Sequence, residues 1–206
     1  TVAASLFGAT CTFNGSWDVT PSGESDEIVI ESGDLTWGAA LPAKVASWTQ
    51  TGGTVTFETV YGETGFTLFE VTGDVSLTGG KWTHKANGTT EAYRLAVSVG
   101  GDFTLGEDAA IDVTACGYDK AGPGRVGAHC AGAYGGQGTG TDGALTPCYG
   151  SITKPVNLGS SGVSTHKGGG SVRLVVAGAL TVNGRIFADG QTNDPLSSYY
   201  GGSGGS

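Results

Sequence analysis

The sequence predicts an all-β fold: a right-handed parallel β-helix (solenoid) with a long Gly-rich lateral loop. Three observations carry that expectation. A short phrase returns four times with the same apolar and polar positions: Glu31-Ser-Gly-Asp-Leu-Thr-Trp37, Val71-Thr-Gly-Asp-Val-Ser-Leu77, Val99-Gly-Gly-Asp-Phe-Thr-Leu105 and Val176-Ala-Gly-Ala-Leu-Thr-Val182. Glycine supplies 39 of 206 residues without a collagen-like period, and Val, Thr, Ile and aromatic residues between the glycines favour pleated, half-buried surfaces. No window carries apolar residues at helical spacing over three turns, so helix is nearly excluded. A strand–corner–strand unit that cannot bury its own apolar face must stack on its neighbours.

Residues 1–26 precede the first clear repeat and read as an N-terminal cap, with Phe13 and Trp17 covering an otherwise open edge. Residues 27–206 read as the solenoid, interrupted by a Gly-rich insertion over 117–170. Aligning Gly33, Gly73, Gly101 and Gly178 places Leu35, Val75, Phe103 and Leu180 in one inward slot, and Trp37, Leu77, Leu105 and Val182 in the next. Thr36, Ser76, Thr104 and Thr181 then point outward, because strand side chains alternate with period two. Before the corner, Thr67/Phe69/Val71, Leu95/Val97/Val99 and Val172/Leu174/Val176 alternate in the same way. A third strand is expected after each corner, over 45–50, 81–85, 110–113 and 185–188, with an extra pairing unit over 53–57. Parallel crossovers are right-handed in nearly all cases, which sets the predicted hand.

The net charge is −9, with only 10 Lys and Arg scattered along the chain, which argues against nucleic acid or an anionic membrane as partner. No apolar run approaches the roughly 18 residues needed to span a bilayer. Four cysteines (Cys11, Cys116, Cys130, Cys148) allow three full pairings and show no zinc-like spacing. Cys130 and Cys148 bracket part of the Gly-rich insertion. A bridge between them would close a loop of about 19 residues, worth on the order of 3 kcal/mol. It would fit an oxidising, extracellular setting. The repeat reads as interrupted at the closing Gly-Gly-Ser-Gly-Gly-Ser206, which predicts a segment of a longer protein.

The Gly-rich insertion is the expected seat of any specific function, because long loops on a rigid scaffold carry binding residues. Tyr118, Arg125, His129, Tyr134 and Tyr149 are its large groups. They read either as an aromatic shelf for sugar rings and a neighbouring subunit, or as anchors of the loop. The order Gly117-Tyr-Asp-Lys-Ala-Gly-Pro-Gly124, Gly127-Ala-His-Cys-Ala-Gly-Ala-Tyr-Gly-Gly136, Tyr149-Gly-Ser-Ile-Thr-Lys-Pro155 and Gly168-Gly-Gly-Ser-Val-Arg-Leu-Val-Val-Ala-Gly178 resembles the Gly-rich β-solenoid segments of very large repetitive bacterial cell-surface and extracellular proteins. The resemblance runs from about Asp26 to the end. It implies a repetitive exported surface, adhesion or filament protein, and no catalytic residue carries over from it.

Asp34, Asp74 and Asp102 share one corner slot in this alignment. Stacked directly they would repel, unless Ca2+ or backbone N–H groups compensate. A second oxygen cluster lies at Asp189-Gly-Gln-Thr-Asn-Asp194. The parallel β-helix also houses polysaccharide lyases and glycoside hydrolases, so a polysaccharide-active enzyme is the alternative function. Its acids would be Asp108 with Asp112, or Glu24 with Asp26 and Glu27, but neither group has an evident partner acid or base. An anionic chain is also a poor receptor for a polyanion. Asn14-Gly-Ser16 and Asn87-Gly-Thr89 match glycosylation acceptors. The expected function is therefore a non-enzymatic structural or adhesive component of a filament or surface assembly outside the cell. Its expected partners are further copies, neighbouring surface proteins or glycans, with no nucleic acid and no membrane insertion.

Overall fold

A computed structural model describes residues 8–61, 67–127, 129–140, 143–151, 153–163, 166–192 and 201–206. Its strands are β1 (Thr10–Asn14), β2 (Glu27–Ser32), β3 (Asp34–Trp37), β4 (Lys44–Val45), β5 (Ser47–Gln50), β6 (Thr54–Phe57), β7 (Phe69–Val71), β8 (Val75–His84), β9 (Leu95–Val99), β10 (Phe103–Asp112), β11 (Val172–Val176), β12 (Leu180–Val182) and β13 (Arg185–Phe187). No helix occurs among the described residues. One sheet of nine strands follows the path β1-β2-β5-β8-β10-β12, with β3, β6 and β13 attached beside it. The other has four strands in the order β11-β9-β7-β4.

This arrangement corrects the predicted right-handed β-helix. The strands divide between two largely parallel sheets and do not close into a solenoid. The reason lies at the corners. Gly79 and Gly80 read as the break between two strands, yet they remain inside β8, which runs for 10 residues. Gly106 likewise lies inside the 10 residues of β10, where the pairing with β8 merely slips between Leu105 and Asp108. Two of the three expected strands are thus one.

Pairing is in register across the larger sheet. Cys11, Ile28, Trp48, Val75, Phe103 and Leu180 stand opposite one another in turn, as do Phe13, Ile30, Gln50, Leu77, Leu105 and Val182. In the smaller sheet Phe69 faces Val97 and Val71 faces Val99. Leu35 is not in the Val75 slot, and this too is a correction. It pairs with Val55, and Trp37 with Phe57. Aligning the four phrases on their glycines merges two kinds of glycine. Gly33, Gly53 and Gly80 all have positive φ (87°, 74° and 80°), a backbone state open to glycine at little cost. They follow one another through the bonds Thr54 N–H to Gly33 O and Lys81 N–H to Gly53 O. Gly73, Gly101 and Gly178 form the other series: Gly73 N–H donates to Ala46 O, Gly101 N–H to Gly73 O and Gly178 N–H to Gly101 O.

The chain divides into two compact units. The first comprises Thr1–Thr83, Ala96–Ile111 and Leu174–Ile186. Its core is an aromatic cluster in which Phe69 of the smaller sheet meets Trp37, Phe57 and Trp48 of the larger at centroid distances of 5.2, 5.3 and 5.5 Å. Edge-on contacts extend this cluster from Trp48 to Trp82 and from Trp82 to Phe103. β1 pairs with β2 along its length and is a member of the larger sheet.

The second unit comprises His84–Leu95, Asp112–Arg173 and Phe187–Ser206. It contains the Gly-rich stretch over 117–170. Glycine backbones lie against each other there: Gly117 N–H donates to Gly168 O (2.7 Å), Gly159 N–H to Gly169 O (2.9 Å) and Gly169 N–H to Ser203 O (2.8 Å). A Cβ at Gly168 would run into Gly159 O, and one at Gly159 into Ser203 O. Glycine here allows a close approach that any side chain would prevent.

Candidate functional site

The repeated aspartates act on backbone. Asp74 Oδ1 accepts from the Asp102 N–H at 2.8 Å, and Asp102 Oδ1 accepts from the Ala179 N–H at 2.8 Å. Each carboxylate thus caps the start of the next strand, and the glycine before the capped residue keeps the approach open. A Cβ on Gly101 would collide with Asp74 Oδ1, and one on Gly178 with Asp102 Oδ1. Asp34 opens β3 opposite Thr54 and belongs to a different ladder. Among the described residues, no group of three or more His, Cys, Asp or Glu is placed to hold a metal ion. The Asp189–Asp194 cluster extends beyond the described residues.

Four of the acids considered for an enzyme, Glu24, Asp26, Glu27 and Asp112, have structural partners. Glu24 pairs with Lys44 at 3.0 Å. Burial pushes the Asp26 carboxyl up, but N–H donors from Ser22, Ala9 and Gly23 outweigh it and hold it below its ordinary value. Asp112 Oδ1 accepts from the Thr114 N–H at 3.0 Å.

Of the five loop residues singled out in the sequence, the structure joins two. Tyr134 and Tyr149 meet edge to face, with centroids 5.1 Å apart and planes at 78°. With Gly135, Cys148, Gly150, Ser151 and Pro155 they line a cavity of about 400 Å3. Gly150 has φ +84°, and a Cβ there would press on the Tyr134 ring at 2.7 Å. The Tyr149 hydroxyl donates to Leu158 O and accepts from Ser160 Oγ, and burial pushes its pKa up to about 12. It anchors the loop and does not present an acid. Tyr118 is buried, Arg125 Nε donates to its near neighbour Gly127 O (2.9 Å), and His129 is exposed.

The predicted bridge is corrected: all four cysteines are free thiols. Cys130 is buried with its Sγ directed to Gly127 O at 3.2 Å, whereas Cys148 sits exposed on the tyrosine cavity. Asn87 is buried as well. Its Nδ2 donates to Tyr93 O and Cys116 O, and its Oδ1 accepts from the Ala92 and Tyr93 N–H groups, so it offers no glycosylation site.

Two buried polar side chains matter more to the structure than their sequence context suggests. Gln50 is fully buried; its Oε1 accepts from Trp82 Nε1 (2.9 Å) and Trp48 Nε1 (3.4 Å), while its Nε2 donates to Gly52 O and Gly53 O. The sequence signal that could locate it is its inward slot two residues from Trp48. His84 is also buried, with Nε2 accepting from the Ser171 N–H at 3.1 Å and Nδ1 2.9 Å from Lys85 O. Desolvation lowers its pKa to about 4, so it is a neutral packing group.

The ends of the larger sheet differ. At β1 the chain closes its own edge: the Thr12 N–H donates to Asp18 Oδ1 (2.6 Å) and Thr12 O accepts from the Asp18 N–H (3.0 Å). At β12 no strand follows among the described residues. Leu180 and Val182 stand in the inward slots above Phe103 and Leu105, yet they are 55% and 43% exposed, where Phe103 and Leu105 are 0%. Ile186 of β13, which also pairs with β10, is 44% exposed as well.

No protein-family model matches the chain, and comparison with curated proteins and with solved structures finds no significant similarity.

Proposed function

We propose that the chain is a structural or adhesive component of an extracellular or cell-surface assembly, and that it acts through self-association. The open apolar edge carries this reading. Soluble monomers blunt their sheet edges with turns, charges or short strands, and a contiguous exposed apolar patch marks an interface. This chain blunts β1 with Asp18 and leaves Leu180, Val182 and Ile186 uncovered on β12 and β13. The occupant is a second copy, whose own Leu180 and Val182 supply the matching apolar surface. The dense aromatic core supports the scaffold role, and the acidic surface keeps unassembled chains soluble. Sedimentation velocity over a hundredfold concentration range tests the reading. The wild type is expected to associate, and a Leu180→Lys/Val182→Lys variant with unchanged circular dichroism to remain a monomer. A wild type that stays monomeric throughout overturns it.

A further inference from the structure

The chain contains three Asn-Gly pairs, Asn14-Gly15, Asn87-Gly88 and Asn183-Gly184. An asparagine that precedes glycine can cyclise onto its own backbone, because glycine has no side chain to shield its amide nitrogen. In that reaction the amide nitrogen of the glycine attacks the asparagine Cγ. The N–Cγ bond forms, the Cγ–Nδ2 bond breaks, and ammonia leaves with the proton that the amide gives up. Water then opens the cyclic imide at either carbonyl, leaving aspartate or isoaspartate with no change of oxidation state. The reaction needs an asparagine side chain free to turn and a glycine N–H not committed to an acceptor.

The structure separates the three pairs on these requirements. The buried Asn87 side chain is held by Tyr93 O, Cys116 O and the N–H groups of Ala92 and Tyr93. Asn183 is exposed, but the Gly184 N–H donates to Leu105 O at 3.1 Å, and a Cβ on Gly184 would meet Ala109 O at 2.3 Å and Gly106 O at 2.4 Å. Asn14 and Gly15 are both exposed; Gly15 has φ +100°, and a Cβ there would meet nothing within 4 Å. Among the described residues, no hydrogen bond holds the Asn14 side chain or the Gly15 N–H. This pair lies in the turn that closes the β1 edge, between Phe13 and Trp17, whose rings meet at 5.2 Å.

We propose that Asn14 is a self-modification site, where cyclisation onto the Gly15 nitrogen converts the asparagine to isoaspartate and aspartate. Isoaspartate routes the main chain through the side-chain carbon, so the product lengthens the turn that closes β1. The site stands independently of the open edge at β12 and of self-association. Peptide mapping by mass spectrometry of the full chain, aged in mildly alkaline buffer with and without urea, tests it, with isoaspartate detected by enzymatic methylation. In the native chain Asn14 is expected to convert at least about tenfold faster than Asn87 or Asn183, because those two pairs must first open locally. In urea all three are expected to convert at similar rates. Equal rates at the three pairs in the native chain overturn the selection of Asn14, and Asn14 unchanged in the native chain while it converts in urea overturns the site. Aspartate without isoaspartate at Asn14 overturns the cyclic route. Asn14→Ser, at an exposed position, is expected to keep the wild-type circular dichroism and to remove the isoaspartate of the native chain; isoaspartate persisting at the wild-type level also overturns the site.

Discussion

Acid should unfold this chain by a route that runs through one histidine. His84 is held neutral: the Ser171 N–H donates to Nε2, which fixes the remaining proton on Nδ1, 2.9 Å from Lys85 O. A Cβ on Gly170 would run into Nε2, so the second nitrogen has a closely packed wall in front of it. A proton added there would oppose the Ser171 donor. The folded-state pKa is accordingly about 4 against an ordinary 6.5, and the cause is desolvation. Because the folded value is the lower one, the stabilisation is complete above pH 6.5 and is lost as pH falls towards 4; below that it changes no further. A tenfold change in proton affinity corresponds to about 1.4 kcal/mol, so the loss between pH 7.5 and 4.5 is about 2–3 kcal/mol. With a urea dependence of about 2–3 kcal/mol/M, the midpoint should fall by about 1 M over that range. His84→Gln retains an acceptor and a donor but cannot titrate. Urea unfolding of both proteins at pH 7.5 and 4.5 is the assay, and the histidine contribution is the difference between their two pH responses. Carboxylates such as Asp26 act equally in both proteins and cancel. An equal response in wild type and variant would refute the role assigned to His84.

Gln50→Leu leaves the indole N–H groups of Trp48 and Trp82 buried without their acceptor, and should cost about 2–4 kcal/mol in urea unfolding. Gln50→Glu should lose less stability than the wild type between pH 7.5 and 4.5, since only a protonated carboxyl can donate to Gly52 O or Gly53 O; an equal or larger loss than in the wild type would refute that geometry. Asp74→Ala removes the cap on Asp102 and should cost about 1 kcal/mol, whereas Gly101→Ala should cost more, because its Cβ also meets the Gly73 backbone at 2.8 Å. Thiol titration of the native chain should find one fast group, Cys148, and four after denaturation; two after denaturation would restore the Cys130–Cys148 bridge.

Period-two alternation made the strand segments legible in the sequence, because inward and outward placement is a local property. Val75, Phe103 and Leu180 do align, as do Phe69 with Val97 and Val71 with Val99. Closure was not legible, since it depends on whether a glycine breaks a strand or continues it. Gly79 and Gly73 look alike as letters, and only the backbone separates them. The same limit misplaced Leu35, for the sign of φ at Gly33 is what assigns it to the Gly53 series. The glycine-on-glycine packing of the second unit left no side-chain pattern to read. Cysteine pairing depends on a separation that spacing along the chain does not give.

The aspartate ladder also bears on what covers the open edge. Asp74 caps Asp102 and Asp102 caps Ala179, and there the series stops, because alanine stands where a third carboxylate would be. The strand that lacks the next cap is the one whose inward side chains are exposed. A strand added to β12 in the pattern of the earlier ones would find the apolar slots of Leu180 and Val182 but no carboxylate for its first N–H. An occupant must therefore bring its own acceptor or approach in another register, and a second copy paired antiparallel meets that condition, since its strand enters from the opposite end. Ala179→Asp gives this distinction a readout. It restores the cap for a parallel occupant and places two like charges near an antiparallel one. If copies pair antiparallel through β12, the substitution should weaken association in sedimentation, and tighter association would show that the added strand runs parallel.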